Sequence, residues 1–434
     1  MRPTGRALLI AAAGLPVALL PAAFEGRLWP VWAVFALGFV AALAAEALLL
    51  PRPSRVSAEV ELPATLYIGE EDAARLTVRV PGPGAVTVMC DLSERLAAVG
   101  PLRALAADGA ARFVVPLRST RRGRVAVERV WVRVAGPLGL LERTAVRQLG
   151  AEAVVVPNTL PVRATALRFA AERDFRAGLK IERYRGDGTE LDSLREHSRG
   201  DDSRAIDWKA SAHHLKLVSR QYRAERNHQI VCAVDTGRLM CEPLAGIPKL
   251  DHAVTAALLL CYVSLKAGDR VGLLGFDAGV GTWVEPRGGL GAYQTLARMA
   301  SRLDYSDAET NFTLGLTALA QRLRRRSLVV VLTDFVDTVA AELMLENLSR
   351  LAARHVVVFV ALQDPGLAGL AAAAPATVLQ LNRAVVAAGL LRDREVVLRD
   401  LRRRGIHALD AAPAAVRPQL INTYLEIKRR ERIS

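Results

Sequence analysis

The chain has 434 residues, of which 51% are hydrophobic and 24% charged. That balance excludes disorder on a large scale and leaves apolar material for two or three folded units. Lys and Arg number 58 against 44 Asp and Glu, a net charge of +14 that favours acidic partners such as anionic lipid, nucleic acid or an acidic protein face.

Residues 1–54 predict two transmembrane helices. The run from Ala7 to Phe24 has no charge, and the run from Leu28 to Leu50 carries one acid, Glu46. Each is close to the roughly 20 residues that a bilayer core requires. Only Glu25, Gly26 and Arg27 separate them, which implies a helical hairpin, because lipid tolerates no unpaired backbone. Trp29 and Trp32 suit the interface near that loop. Arg2 and Arg6 before the hairpin and Arg52 and Arg55 after it place both termini in the cytoplasm by the positive-inside rule. A cleaved signal peptide followed by one span is the rival reading; a second apolar run starting almost at once argues against it. Pro16 and Pro21 interrupt the first helix and leave its depth open.

Residues 55–162 show a different pattern. Stretches such as VSAEVEL, ARLTVRV, ARFVVPL, VAVERVWVRV and AEAVVVP alternate apolar and polar residues between turn-formers. Period two at that spacing predicts a small antiparallel β-sandwich. Residues 163–228 are polar and dense in charge.

From 229 to 434 strands and helices alternate. QIVCAVD, VGLLGFD, LVVVLTD, HVVVFVAL and GIHALDA read as strands. Helices are expected over about Lys249 to Lys266, Gly291 to Arg302, Thr313 to Arg325, Thr338 to Ala353, Asn382 to Arg404 and Gln419 to Arg430, with an Ala-rich link before Asn382. Val- and Leu-rich strands separated by helices predict a doubly wound α/β domain with a parallel sheet covered on both faces. Ligands in such sheets sit at the carboxyl ends of strands. Asp235 and Asp334 end two of those strands, and Asp277 ends a third less obviously at the same place.

Cys90, Cys232, Cys241 and Cys261 include no C-x-x-C pair and no zinc spacing; Cys232 and Cys261 read as core residues, a usage that fits a reducing compartment. The basic runs at Arg324 to Arg326, Arg402 to Arg404 and Lys428 to Arg430 read as solvated helix ends. They have no interleaved aromatic residues, which gives base stacking little support. No P-loop, nucleophile elbow or dinucleotide fingerprint is present.

The stretch from Gly188 to Arg220 reads GTELDSLREHSRGDDSRAIDWKASAHHLKLVSR. It resembles the signature of the bacterial domain-of-unknown-function-58 family. The matching positions are Glu190, Asp192, Glu196, Gly200, Asp201, Asp202, Arg204, Ile206, Asp207, Trp208, Lys209 and Arg220. The RRGRV and GPLGLLER stretches and the order of parts are similar to the family as well. The resemblance implies a bacterial membrane protein with a von Willebrand factor A-like domain at residues 229–434, and the Arg bias above turns its soluble domains toward the cytoplasm. It also implies a MoxR-type AAA+ ATPase as partner, in assembly or activation of other proteins.

In von Willebrand A domains a Mg²⁺ site uses Asp-x-Ser-x-Ser, a Thr and a further Asp. Here Asp235, Thr310 and Asp334 match, but Gly237 and Leu239 stand at the two Ser positions, so the site is degenerate and no cofactor is expected. The acids and bases of the signature suit an ion-pair network, with Trp208 as a packing anchor or an interface residue. Asp207 and His213 could form an acid–base pair, but no nucleophile accompanies them. The favoured function is therefore a membrane-anchored, non-catalytic binding or scaffold protein that meets its partner through Arg204, Asp207, Trp208 and Arg238. The alternatives are a metal-dependent hydrolase at Asp235, Thr310 and Asp334, and a nucleic-acid-binding protein acting through its basic surface.

Overall fold

A computed structural model describes residues 1–23, 29–82, 84–160, 162, 164, 185–197, 206–214, 216–223, 228–335 and 338–430. Two compact units emerge, Met1–Asn158 and Thr159–Ser434.

The first unit opens with β1 (Arg2–Pro3), α1 (Gly5–Ala23) and α2 (Trp29–Leu49). By length and composition α2 can cross a membrane. The two helices touch: a side chain at Gly14 would meet the Phe35 ring at 2.6 Å. The connection expected at Glu25 to Arg27 lies outside the described residues.

Then come β2 (Ser57–Glu61), β3 (Thr65–Tyr67), β4 (Glu71–Arg79), β5 (Gly84–Leu92), β6 (Leu102–Ala106), β7 (Ala110–Arg118), β8 (Gly123–Ala135) and β9 (Leu141–Val156). They make two sheets, one in the order β1-β9-β8-β5-β6 with β3 also on β9, the other β2-β4-β7. Each buries alternate residues: Val130, Val132 and Val134 on β8 in the first, and Ala74, Leu76 and Val78 on β4 in the second. That is the one-sided burial of a sandwich. Two pairings depart from the expected pattern. β3 runs parallel to β9, and the extreme N-terminus joins the sheet as β1, Arg2 opposite Glu142. The reason is the length of β9, 16 residues, whose outer edge has room for two short strands.

The helices are fastened to this sandwich at the β8–β9 turn. Glu46, in the last turn of α2, is fully buried. Its Oε2 accepts from the backbone N–H groups of Leu140 (2.9 Å) and Leu141 (2.8 Å). Thr4 donates its N–H to Leu140 O at 2.8 Å and its hydroxyl to Gly139 O at 2.5 Å. Arg143 reaches the carbonyls of Leu50 and Pro51, each at 3.0 Å, where the helix leaves its orphan acceptors. Gly136 is required by this contact, because a Cβ there would lie 2.3 Å from Glu46 Oε1.

In the second unit, β10 (Arg185–Glu196) and β11 (Val218–Arg223) pair antiparallel, with α3 (Trp208–His214) between them in sequence. The main sheet contains β12 (Gln229–Asp235), β15 (Arg270–Phe276), β16 (Val280–Arg287), β17 (Leu328–Leu332), β18 (Val356–Leu362) and β19 (His407–Ala411). A two-strand hairpin of β13 (Pro243–Leu244) and β14 (Ile247–Pro248) stands before its first helix. The order is β16-β15-β12-β17-β18-β19, parallel except for β16. The helices are α4 (Lys249–Lys266), α5 (Gly291–Ala300), α6 (Phe312–Arg322), α7 (Thr338–Ala352), α8 (Pro365–Ala372), α9 (Val378–Arg403) and α10 (Pro413–Arg429). Ile230, Cys232 and Val234 of β12 pack with α4, α5 and α10, and Val231 and Ala233 with α6, α7 and α9. Both faces are covered, as continuous apolar strands require. Val162, at the end of the stretch expected to be sandwich, is buried in this second core.

Several details differ from the expected elements, and α10 starts at Pro413 rather than Gln419. β16 has no apolar run because it is a half-exposed edge strand. The Ala-rich link contains α8, started by Asp364, whose side chain accepts from Gly366 N, with Pro365 following. α9 begins at Val378, earlier than Asn382, because Thr377 caps it by accepting from Gln380 N.

Glu46→Ala should leave two buried N–H groups without an acceptor. Hydrogen exchange of the detergent-solubilised full chain is expected to show the Leu140 and Leu141 amides exchanging about tenfold to a hundredfold faster, while the β4 and β7 amides stay protected. Unchanged protection at Leu140 would show that Glu46 does not hold the turn.

Candidate functional site

Strand β12 lies between β15 and β17, so its carboxyl end is the switch point of the sheet, where ligands of such sheets bind. Asp235 is the last residue of β12 and only 1% exposed. Its Oδ1 accepts from Thr310 Oγ1 (2.7 Å) and from Gly237 N (2.8 Å), and its Oδ2 from Thr333 Oγ1 (2.5 Å). The loop that carries Thr310 is tied to the Asp235 loop by Ser306 N to Thr236 O and Arg238 N to Ala308 O. Burial pushes the Asp235 carboxyl above the usual aspartate range; the three hydrogen bonds oppose that shift and nearby Asp277 adds to it.

Asp334, two residues beyond β17, has a different environment. Lys249 Nζ lies 2.8 Å from its Oδ2, and Arg394 Nη1 lies 2.7 Å from its Oδ1. Lys249 also meets Glu242 at 2.6 Å. Arg394 also donates to Asp410 Oδ1 from Nη2 at 2.9 Å and to Leu362 O at 3.0 Å, and its guanidinium stands 5.1 Å from the Phe335 ring centre. Burial alone would lower the Lys249 ammonium; Asp334 and Glu242 more than reverse this, and its pKa is raised. Arg394 follows the same balance, with burial opposed by Asp334 and Asp410. Lys249 is the first residue of α4, an end of a helix that ordinarily attracts anions. The two carboxylates offset that unfavourable position.

These residues do not fit a Mg²⁺ ion. Such an ion needs near-octahedral oxygen ligands. Both oxygens of Asp334 already face side-chain cations, and the space beside Gly237 belongs to Thr310, whose Oγ1 would lie 2.2 Å from a Cβ there. Among the described residues no group of three or more His, Cys, Asp or Glu is placed to hold a metal.

The site residues expected from sequence fall into three groups. Asp235 and Thr310 are in direct contact, and Asp334 follows Thr333, the third partner of Asp235. Of the partner-binding set, Asp207 caps α3 by accepting from Lys209 N and Ala210 N, both at 3.0 Å. Trp208 is 70% exposed, so it is not a packing anchor. Arg238 is exposed and pairs with Glu309 at 3.6 Å. Ile206 bridges to Ser219. Lys209 and Glu196 are exposed, and Glu196 pairs with Lys216 at 3.6 Å. Gly200, Asp201, Asp202 and Arg204 lie outside the described residues, as do the side chains of Glu190, Asp192 and Arg220.

Sequence reasoning missed Lys249, Arg394, Asp410, Glu242 and Thr333. A lysine opening an apolar helix against its dipole was an available signal; Arg394, among the charges of α9, offered none. Lys428, read as a solvated helix end, instead pairs at 2.9 Å with Asp269, a fully buried acid that also accepts from Tyr424 Oη at 2.5 Å.

Residues 193–386 match the family described as protein of unknown function DUF58. Uncharacterised proteins of Mycobacterium bovis and Mycobacterium tuberculosis are each 28% identical over 182 residues, 42% of this chain and 56% of theirs. The chain thus spans little more than half the length of these relatives. Among solved structures, the conserved hypothetical protein BatB of Bacteroides thetaiotaomicron overlaps 47% of this chain and 99% of its own, at 15% identity and a TM-score of 0.32. An aerotolerance-related membrane protein of Bacteroides fragilis overlaps 31% of this chain and 67% of its own, at 15% identity and a TM-score of 0.22.

Asp334→Asn removes the shared carboxylate from two largely buried cations, which keep Glu242 and Asp410 as their other partners, and should cost up to about 3 kcal/mol in denaturant unfolding; a neutral or stabilising effect, as when an empty metal site loses a ligand, would contradict this geometry. Asp235→Asn should behave differently. A carboxyl whose folded pKa is raised contributes stability that is full below the ordinary aspartate range and is lost as pH rises through the raised value. The melting temperature of Asp235→Asn relative to wild type should therefore climb as the pH rises above the ordinary aspartate range, and a flat difference would overturn the assignment. Gly237→Ser, which would complete the metal motif on paper, should instead overpack against Thr310 and cost about 1–3 kcal/mol, with no gain from added Mg²⁺.

Proposed function

We propose that this chain is a membrane-anchored, non-catalytic binding protein. Its α1–α2 hairpin spans the cytoplasmic membrane twice, with both termini and the soluble units in the cytoplasm. Its second unit is a von Willebrand factor A-like domain that recognises a protein partner through the carboxyl edge of the sheet. The Arg2, Arg6, Arg52 and Arg55 bias supports the topology. The parallel sheet with Asp235 at its switch point supports the domain reading.

The observation that carries the proposal is the saturation of the edge carboxylates. Asp235 has three hydrogen bonds and Asp334 has two cations, so neither is poised as a base or a ligand. The exposed chemistry belongs to recognition: Arg238 and Glu309 on the two edge loops, and Trp208 on the signature helix. Arg and Trp are the types that dominate interface energetics. The partner implied by the family likeness is a MoxR-type AAA+ ATPase.

The test is capture of a purified MoxR-type ATPase of the same genome by the detergent-solubilised full chain. Arg238→Glu and Trp208→Ala should each shift unfolding by no more than about 0.5 kcal/mol, as surface changes do. Each should also weaken capture about tenfold or more. Folded variants that capture the ATPase at wild-type levels would refute the interface, and no capture by wild type would refute the partner.

A further inference from the structure

The last turn of α2 contains a contradiction that the sandwich resolves. Glu46 is followed by Leu48 and Leu49, which are 87% and 66% exposed in the isolated chain. On the reading that α2 spans a bilayer, those leucines face lipid, and Glu46 lies at or inside the hydrocarbon boundary. A carboxylate at that depth needs donors. Its donors are the backbone N–H groups of Leu140 and Leu141, so the β8–β9 turn stands at the same depth as the carboxylate.

That turn has the composition of a surface meeting lipid. Its tip is Gly136-Pro137-Leu138-Gly139, and Leu138 is 53% exposed with no acid beside it before Glu142. Arg6 lies over it, with Nη1 3.3 Å from where a Gly139 Cβ would stand. Arg2, Arg52 and Arg55 are exposed on the segments that enter and leave the same junction. Arg143 and Arg147 fold inward onto the carbonyls of Leu50, Pro51, Pro53 and Val56, so they brace the junction.

We propose that the Gly136–Leu140 turn is a membrane-inserting loop: Pro137 and Leu138 enter the acyl-chain boundary beside α2, and the exposed arginines around them hold the headgroups of anionic phospholipids. An apolar tip ringed by cations fits such a surface, since each basic residue close to it adds attraction to anionic lipid. The continuity of the leucines of α2 with Leu138 identifies lipid as the occupant.

The test uses the full chain in phosphatidylcholine nanodiscs with and without phosphatidylglycerol. A benzophenone amino acid replaces Leu138, Leu37 on α2, or Val154, which is exposed on β9 opposite Arg124, at the end of that strand remote from the turn. After irradiation, mass spectrometry should find lipid adducts at positions 138 and 37 and not at 154. Adducts at 37 alone overturn the proposal and leave the α2 anchor standing; adducts at neither overturn both. Labelling at 154 equal to that at 138 also overturns it. In native mass spectrometry of the mixed nanodiscs, Arg52→Gln and Arg55→Gln should each lower the preference for phosphatidylglycerol by about fivefold; an unchanged preference removes the headgroup role.

Discussion

Two carboxylates end neighbouring strands at one buried edge of the sheet, Asp235 on β12 and Asp334 just after β17. Like charges in a poorly hydrated place raise each other's cost of ionisation unless something neutralises them. The fold treats the two unequally. Asp334 receives whole cations from Lys249 and Arg394, whereas Asp235 receives only dipoles, from Thr310, Thr333 and the Gly237 amide. Much of the domain's edge follows from that division. Lys249 places the start of α4, and Arg394 joins α9 to β18 through Leu362 O and to β19 through Asp410. A divalent ion would provide the same neutralisation from outside; here the charges are covalently part of the chain, so the edge keeps its shape independently of any metal supply.

The arrangement has a cost that locates it. A buried ion pair is weak evidence for stability by itself, since desolvation offsets much of the attraction. Its value lies in specificity of geometry: Arg394 has donors in a fixed fork, with Nε and Nη2 directed to Asp410, Nη2 also to Leu362 O, and Nη1 to Asp334. The edge loops are then free to carry exposed charges such as Arg238 and Glu309 without rearranging what lies beneath them.

Much of this was legible in the sequence, for physical reasons that differ by element. The Val- and Leu-rich strands announced a sheet covered on both faces, and the positions of Asp235 and Asp334 followed from strand ends. Thr310 was found because its residue type matched a motif, and it does touch Asp235. The cations were not legible, because a lysine and an arginine are surface residues by default and only the tertiary fold brings them 2.8 Å and 2.7 Å from one carboxylate. β16 escaped because an edge strand has one wet face. The N-terminal β1 escaped because two residues carry no periodicity; only the long outer edge of β9 makes a strand of them.

That edge of β9 bears on how the sandwich can move. It takes β1 at one end and β3 at the other, while Arg143 and Arg147, from the same strand, hold the segment that leaves α2. Ordinary membrane anchors are leashes, whose slack lets the soluble part sample a hemisphere of solution. Here the leash has been taken up. Motions of α2, its tilt or its rotation about its own axis, must be carried into the sandwich as rigid-body motion. On the reading that α2 spans a bilayer, bilayer thickness and curvature thereby become mechanical inputs to the sandwich.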